Sequence, residues 1–370
     1  MRMRICRFRF GRKHGTHSSM KSASHLALTA IAITVVAATT VFAGASDGTL
    51  DFYWIDSMGG GSTLIVTPLG ESILIDSGNP GERDPSRIHR AATTVAGLKQ
   101  IDHLITTHLH SDHFGGAAEL AQKMPIHTVY DNGVPDRDPD GSNNASWPLK
   151  VKAYREMKVS ERVVVHPGSG IPLHQVHSGP ALSLQFVAAK QQFALSRTAS
   201  VNPARCTDPS PKPTDTSDNA NSIVSLLQFG RFRYFNGGDL TWNTEAQLVC
   251  PMAQIGSVDV YQVNHHGLDV SSNPLLLRAL LPNIAVMNNG PSKGCMTEVV
   301  QSLRSLPSLQ AIYQVHRNLK QPENNAPAEF CANNGETGGA YLKLSVSPDG
   351  NSYTVTVPST GHKQTYATRF

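Results

Sequence analysis

One stretch constrains the chain more than any other: Ile101-Asp102-His103-Leu104-Ile105-Thr106-Thr107-His108-Leu109-His110-Ser111-Asp112-His113-Phe114-Gly115-Gly116. The apolar run Ile101 to Ile105 predicts a short buried strand, and His108, His110, Asp112 and His113 stand where that strand should end. Residues two apart on an extended chain point the same way, so His108 and His110 can converge on one ion while the following turn carries Asp112 and His113 to a second. Neutral imidazoles and a carboxylate are ligands that a borderline ion such as zinc accepts. Gly115-Gly116 is expected to let the backbone turn tightly into the next helix.

The N-terminal stretch is read apart from that core. Residues 1–25 are basic and carry no acid, Leu26 to Ala43 is apolar and small, and Val41-Phe42-Ala43 or Ala43-Gly44-Ala45 offers a small-x-small cleavage pattern. Residues 1–45 are therefore expected to be a signal peptide, and residues 46–370 one hydrolase domain, periplasmic or secreted, that meets a membrane only through the leader. Seven of the 32 basic residues lie within residues 1–43, which leaves 25 against 28 acidic residues in the remainder. That balance gives no support to a broad phosphate-binding face or to a stable nucleic-acid partner. Outside the leader four cysteines remain, Cys206, Cys250, Cys295 and Cys331, without the close spacing of a zinc clip. In an oxidising compartment they are expected to form structural bridges; three pairings are open, and the favoured one joins Cys206 to Cys250 and Cys295 to Cys331.

Strands are predicted at Asp51–Asp56, Ser62–Thr67 and Ser72–Gly78, a meander whose last corner carries Asp76. That carboxylate is placed either to orient a ligand histidine or simply to cap its turn. Helical spacing covers Ser86–Leu98 and Ala117–Met124, with a strand at Ile126–Tyr130. Residues 131–160 shift to loop chemistry around a short helix, Trp147–Lys158, and read as an insertion over the site, a candidate substrate lid. His166, His174 and His177 follow, each a candidate ligand. After a strand at Leu182–Ala188 and a surface loop, Ser196–Ser217, the segment Arg231 to Asp239 ends a strand on a carboxylate able to bridge two cations, the preceding Gly pair giving them room. A further strand ends in His265-His266-Gly267, and His316 ends another and is a candidate for the pocket. A closing hairpin, Gly338–Val346 with Ser352–Val357, completes the chain. Hairpins followed by alternating helices and strands suit sheets covered by helices.

The HxHxDH spacing, Gly237-Gly238-Asp239 and His265-His266-Gly267 together resemble the metallo-β-lactamase superfamily over most of residues 51–346. A finer match is to the corresponding domain of the ComEC competence proteins, through Tyr53 to Gly61, Asn221-Ser222-Ile223-Val224 and the Ser-Ser-x-Pro start of a helix after His-His-Gly. The resemblance implies an α/β fold, an αβ/βα four-layer sandwich with a dinuclear site in its cleft. It implies His108 and His110 on the first metal, Asp112 and His113 on the second, Asp239 as bridge, and His265 or His266, with His265 preferred, as the last ligand. Where many relatives supply a third histidine to the first metal, this chain has Asp218-Asn219-Ala220-Asn221-Ser222, so an amide oxygen of Asn219 or Asn221 would take that place. Such a harder donor favours a loosely held ion, or manganese in place of zinc. The expectation is an exported hydrolase with two divalent cations, zinc first and manganese second. It would cleave a phosphoester or other ester of a small molecule by metal-bound hydroxide, with Asp112 positioning the nucleophile. Hydrolysis of a lactone or β-lactam is the alternative, and a non-catalytic module for DNA is the alternative of another class.

Overall fold

The structure is a computed structural model that describes residues 47–142, 145–194, 206, 211–251 and 255–369. The expected signal peptide, residues 1–45, lies outside the described residues, as does most of the loop between 195 and 210.

The meander comes first: β1 (Leu50–Ile55), β2 (Thr63–Val66) and β3 (Ser72–Ile75). Helix α1 (Arg83–Arg90), extended by a π-helical turn at Ala91–Val95, leads into β4 (Ile101–Ile105). The signature follows as α2 (Ser111–Phe114), then α3 (Ala117–Lys123) and β5 (Ile126–Asp131). The insertion carries α4 (Trp147–Glu156) and ends at β6 (Glu161–Val164). The second half runs through β7 (Gly170–Ile171), β8 (Leu182–Ala189), β9 (Gln192–Phe193), β10 (Val224–Phe229), β11 (Phe232–Asn236), α5 (Trp242–Val249), β12 (Val260–Gln262) and α6 (Pro274–Leu280). It continues with β13 (Ile284–Met287), α7 (Thr297–Arg304), β14 (Ala311–His316) and β15 (Cys331–Asn333). β16 (Tyr341–Val346), β17 (Ser352–Val357) and β18 (His362–Ala367) return to the first sheet.

Among the described residues the strands make two sheets, ordered β18-β17-β16-β1-β2-β3-β4-β5-β6 and β15-β14-β13-β12-β11-β10-β8-β7, with β9 paired to β8. Strand alternation sorts side chains into layers. On β1, Phe52 and Trp54 face the second sheet and pack with Phe186, Phe232 and Tyr234, while Tyr53 and Ile55 face α1 and α3. On the far side Phe235, Tyr261 and Met287 pack under α5, α6 and α7. The result is the helix–sheet–sheet–helix sandwich of the metallo-β-lactamase fold. Where both faces of a sheet are covered, strands such as Ile284-Ala285-Val286-Met287 read as unbroken apolar runs.

Three expectations are corrected. The closing hairpin has a third strand, β18, whose sequence His-Lys-Gln-Thr-Tyr-Ala carries little apolar alternation because it is the sheet's edge and mostly faces solvent. The long helix at 86–98 starts earlier, and its regular part ends at Arg90. Cys206 and Cys250 are bridged, but Cys295 and Cys331 are free and buried. Gln314 stands between those two sulfurs: its Nε2 donates to Cys295 Sγ at 2.7 Å, and its Oε1 lies 3.9 Å from Cys331 Sγ. The Cys206–Cys250 bridge closes a separation of 44 residues. Its reduction should therefore cost about 4 kcal/mol by loop-entropy arithmetic. Denaturant unfolding with and without reductant checks this, with Cys206→Ser expected to reproduce the reduced midpoint.

Candidate metal centre

The signature turn is held by packing against the Ser77–Pro80 corner. A Cβ on Gly115 would lie 2.1 Å from Ser111 O and 2.4 Å from Pro80 Cδ, and one on Gly116 would lie 2.2 Å from Ser77 O. Both glycines have ordinary helical φ, so they are needed for this close approach and not for a left-handed turn. The Gly pair before Asp239 likewise makes room for neighbouring side chains: a Cβ on Gly237 would strike Asn264, and one on Gly238 would strike Thr107.

Those constraints bring the strand ends to one point. Asp239 Oδ2 lies 3.2 Å from His113 Nε2, 3.2 Å from His266 Nε2, 3.5 Å from His265 Nε2 and 4.0 Å from His108 Nε2. Asp112 Oδ2 is 3.5 Å from His266 Nε2 and 3.7 Å from His113 Nε2. Two overlapping donor sets result, His108 with His113 and Asp239, and Asp112 with His113 and His266. All of these side chains except Asp112 are buried.

The ring orientations follow from what binds the other nitrogen. His113 Nδ1 lies 2.8 Å from Asp76 Oδ2, and His266 Nδ1 lies 3.0 Å from the Asn288 carbonyl; neither oxygen can donate, so each Nδ1 carries its proton. Thr107 Oγ1 donates to Asp76 Oδ2 and so accepts from His108 Nδ1 at 3.0 Å. Ser271 Oγ donates to Leu240 O and so accepts from His265 Nδ1 at 3.2 Å. Four Nε2 atoms are thereby turned toward the same carboxylates, the outer-shell fixing expected of metal-ligating histidines.

The electrostatics match this geometry. Burial holds His108 well below the ordinary imidazole pKa, with charge on His113 adding to the effect. Burial pushes His265 down to about 4. For His113 burial opposes charge, but Asp239, Asp76 and Asp112 outweigh it and raise the pKa well above its usual value. Asp239 is lowered well below the carboxylate range, His113, His266 and His265 overcoming its desolvation.

His266, and not the preferred His265, completes the donor set with Asp112 and His113. Both are buried and both have left-handed backbone, φ 53° and 57°. His110 stands apart: its Nε2 is 2.9 Å from Asp140 Oδ1, although its ring lies 4.6 Å from that of His108. Of the two amides, Asn219 has a buried Oδ1 with no hydrogen-bond partner, whereas Asn221 donates to Asp218 Oδ1 and accepts from Gln191. His316 is not brought to the cluster; it lies 3.1 Å from Asp56, both fully buried. His166, His174 and His177 are exposed.

Three site residues carried no sequence signal. Lys293 places Nζ 2.5 Å from Asp112 Oδ2, its stem crossing Gly59, where a Cβ would lie 3.2 Å from Lys293 Cβ. Asp140 is one of several acids in a loop, and Glu245 sits on α5, in no motif of its own. The insertion lines, with His110, Asp112 and Phe114, a cavity of about 630 Å³. A second cavity, of about 760 Å³, is lined by His265, Asn219, Trp242 and Lys212.

Residues 58–178 match the metallo-beta-lactamase superfamily. ComE operon protein 3 of Bacillus subtilis (strain 168) is 26% identical over 198 residues, 53% of this chain and 21% of that protein, so the match spans about a fifth of the relative's length. Among solved structures, a metallo hydrolase of the hyperthermophilic archaeon Ignicoccus hospitalis is similar with a TM-score of 0.37 at 13% identity, over 71% of this chain and 94% of that one. CmlA, a diiron β-hydroxylase from Streptomyces venezuelae, is similar with a TM-score of 0.34 at 13% identity, over 65% and 44%.

Proposed function

We propose, for a chain that carries the metallo-β-lactamase fold and its signature turn, a hydrolase dependent on two divalent cations that cleaves anionic esters, phosphodiesters first. The observation that carries this reading is the convergence of four imidazole Nε2 atoms on Asp239 Oδ2. The residues fit such ions: His108 Nε2 is a buried nitrogen with no hydrogen-bond partner, and the donors are the imidazoles and carboxylates that zinc and manganese accept. His108 and His110 would hold the first cation, Asp112, His113 and His266 the second, and Asp239 both, with Asn219, whose Oδ1 is buried without a hydrogen-bond partner, the amide that would add to the first. Cations held there supply Lewis acidity, lowering the pKa of water toward neutrality and offsetting charge on the attacked group.

The chain's own residues do the rest. Asp76, Thr107, Ser271 and the Asn288 carbonyl fix the rings before substrate arrives, so little reorganisation accompanies reaction. Lys293, partly exposed beside Asp112, brings a positive charge to the site's open side and favours an anionic substrate over a neutral lactone or lactam. The Cys206–Cys250 bridge fits an exported enzyme, since such bonds persist in oxidising compartments.

Bis-p-nitrophenyl phosphate should be turned over, and nitrocefin and a lactone panel should not, with activity abolished by chelation and restored by zinc or manganese. Lys293→Met should lower kcat/KM for the phosphodiester by about 10- to 100-fold, an exposed-to-desolvated charge contact being worth roughly 1.5–3 kcal/mol. Turnover of nitrocefin or a lactone in preference would replace the phosphodiester reading, and full activity after chelation would end the hydrolase reading.

A further inference from the structure

Four of the cluster histidines take the partner for their distal nitrogen from the walls of the sandwich. Asp76 follows β3, Thr107 follows β4, Asn288 follows β13, and Ser271 lies in the loop before α6. His110 takes its partner from the insertion between β5 and β6. Asp140 Oδ1 accepts from His110 Nε2 at 2.9 Å and also from the Asp218 backbone N–H at 2.9 Å, and Asp218 Oδ2 in turn accepts from the Leu109 N–H at 2.7 Å. These three bonds tie the insertion, the signature turn and the amide loop into one closed circuit around His110.

The orientation is also reversed. Because a carboxylate only accepts, His110 Nε2 carries the proton in this bond, and a neutral ring then offers Nδ1 as its electron-pair donor. The other four histidines present Nε2. His108 and His110 leave the strand end two residues apart, and their ring centroids lie 4.6 Å apart with the rings nearly perpendicular.

We infer that Asp140 is the positioning residue of His110: it fixes the ring with Nδ1 free, and the insertion thereby completes the first metal position. Two buried atoms without hydrogen-bond partners support a ligand independently: Nε2 of His108, a residue 1% exposed, and Oδ1 of Asn219, on the loop that carries Asp218. The inference also gives the insertion a purpose. It lines the cavity shared with His110 and Asp112, so a molecule bound there touches the segment that holds the first site together.

This rests on the reading that the cluster holds two divalent cations, and the test separates the two. Zinc is titrated into metal-free protein against a competing chelator, for the unaltered chain, Asp140→Ala and Asp140→Asn. Asp140→Ala is expected to weaken one of two zinc ions by about 10- to 100-fold, the usual effect of losing an outer-shell partner, and to leave the other within about twofold. Asp140→Asn, which keeps an accepting oxygen for both donors, should fall between. Nitrogen-15 shifts of the His110 ring should show the Nε2-protonated tautomer in the unaltered chain and a tautomer mixture in Asp140→Ala. Equal zinc affinities at both sites in a folded Asp140→Ala, or equal weakening of both, would overturn the inference while leaving the two-cation reading intact. No zinc bound by the unaltered chain would overturn both. If Asp140→Ala does not fold, Asp140→Asn decides: weaker binding of one zinc together with a shifted tautomer bears the inference out, and both affinities unchanged, or loss of the tautomer without loss of affinity, overturns it.

Discussion

Asp239→Ala should lower kcat/KM by at least about a thousandfold, because charge stabilisation by bound cations is worth several kcal/mol and each 1.36 kcal/mol is a factor of ten. Among the described residues no other side chain is shared so widely: its Oδ2 is the common neighbour of His108, His113, His265 and His266. Its removal takes a donor from both cation positions and leaves His113 and His266, whose Nε2 atoms are 3.2 Å apart, without the carboxylate between them. Asp239→Asn keeps the volume and loses the charge, and should fall nearly as far. Steady-state kinetics with metal analysis of the same samples checks both. A variant that keeps its cations and loses activity only a few-fold would show that Asp239 is not the bridge.

The second large effect is on stability. Glu245, fully buried on α5, accepts from the backbone of Ser272 and Asn273 and from Asn264 Nδ2 at 2.6 Å, so it anchors both flanks of the left-handed His265-His266 corner. Glu245→Ala leaves three buried donors unpaired and should cost about 3–5 kcal/mol, each loss being worth roughly 1–3. Burial pushes this carboxyl up to about 7 from 4.5. A folded pKa above the unfolded one means folding favours the protonated form, so its contribution is complete below pH 4.5 and is lost as pH rises through about 7. Glu245→Gln, which resembles the protonated form, should therefore flatten the decline in stability between pH 5 and 8, read from denaturant midpoints across pH. An unchanged slope would locate that proton elsewhere.

How much of this could be read from residues alone depends on whether a feature is local. The meander, the strand under the signature and the layered architecture follow from apolar runs and the turns between them, which short stretches of chain determine. The placement of His108, Asp112, His113 and Asp239 at strand ends is of the same kind. Which of His265 and His266 stands beside Asp112 was not legible, because it turns on the two positive φ angles of a corner that Glu245 anchors from α5. Lys293 and Asp140 lie 181 and 30 positions from the partners they bind, in loops whose composition resembles any other loop. Cys295 and Cys331 looked like a pair because both lie in the C-terminal loops; a glutamine from β14 between them is a matter of packing. His316 ends a strand as the ligands do, yet the carboxylate beside it is Asp56 and not Asp239.

The most direct measurement is anomalous diffraction from crystals of the chain grown with zinc or manganese. Two peaks should appear, about 3.5–4 Å apart as in two-cation sites generally, flanking Asp239 Oδ2, one toward His108 and the other toward Asp112, His113 and His266. Density for cations only at surface carboxylates, with the space between those side chains filled by water alone, would contradict the account at its root.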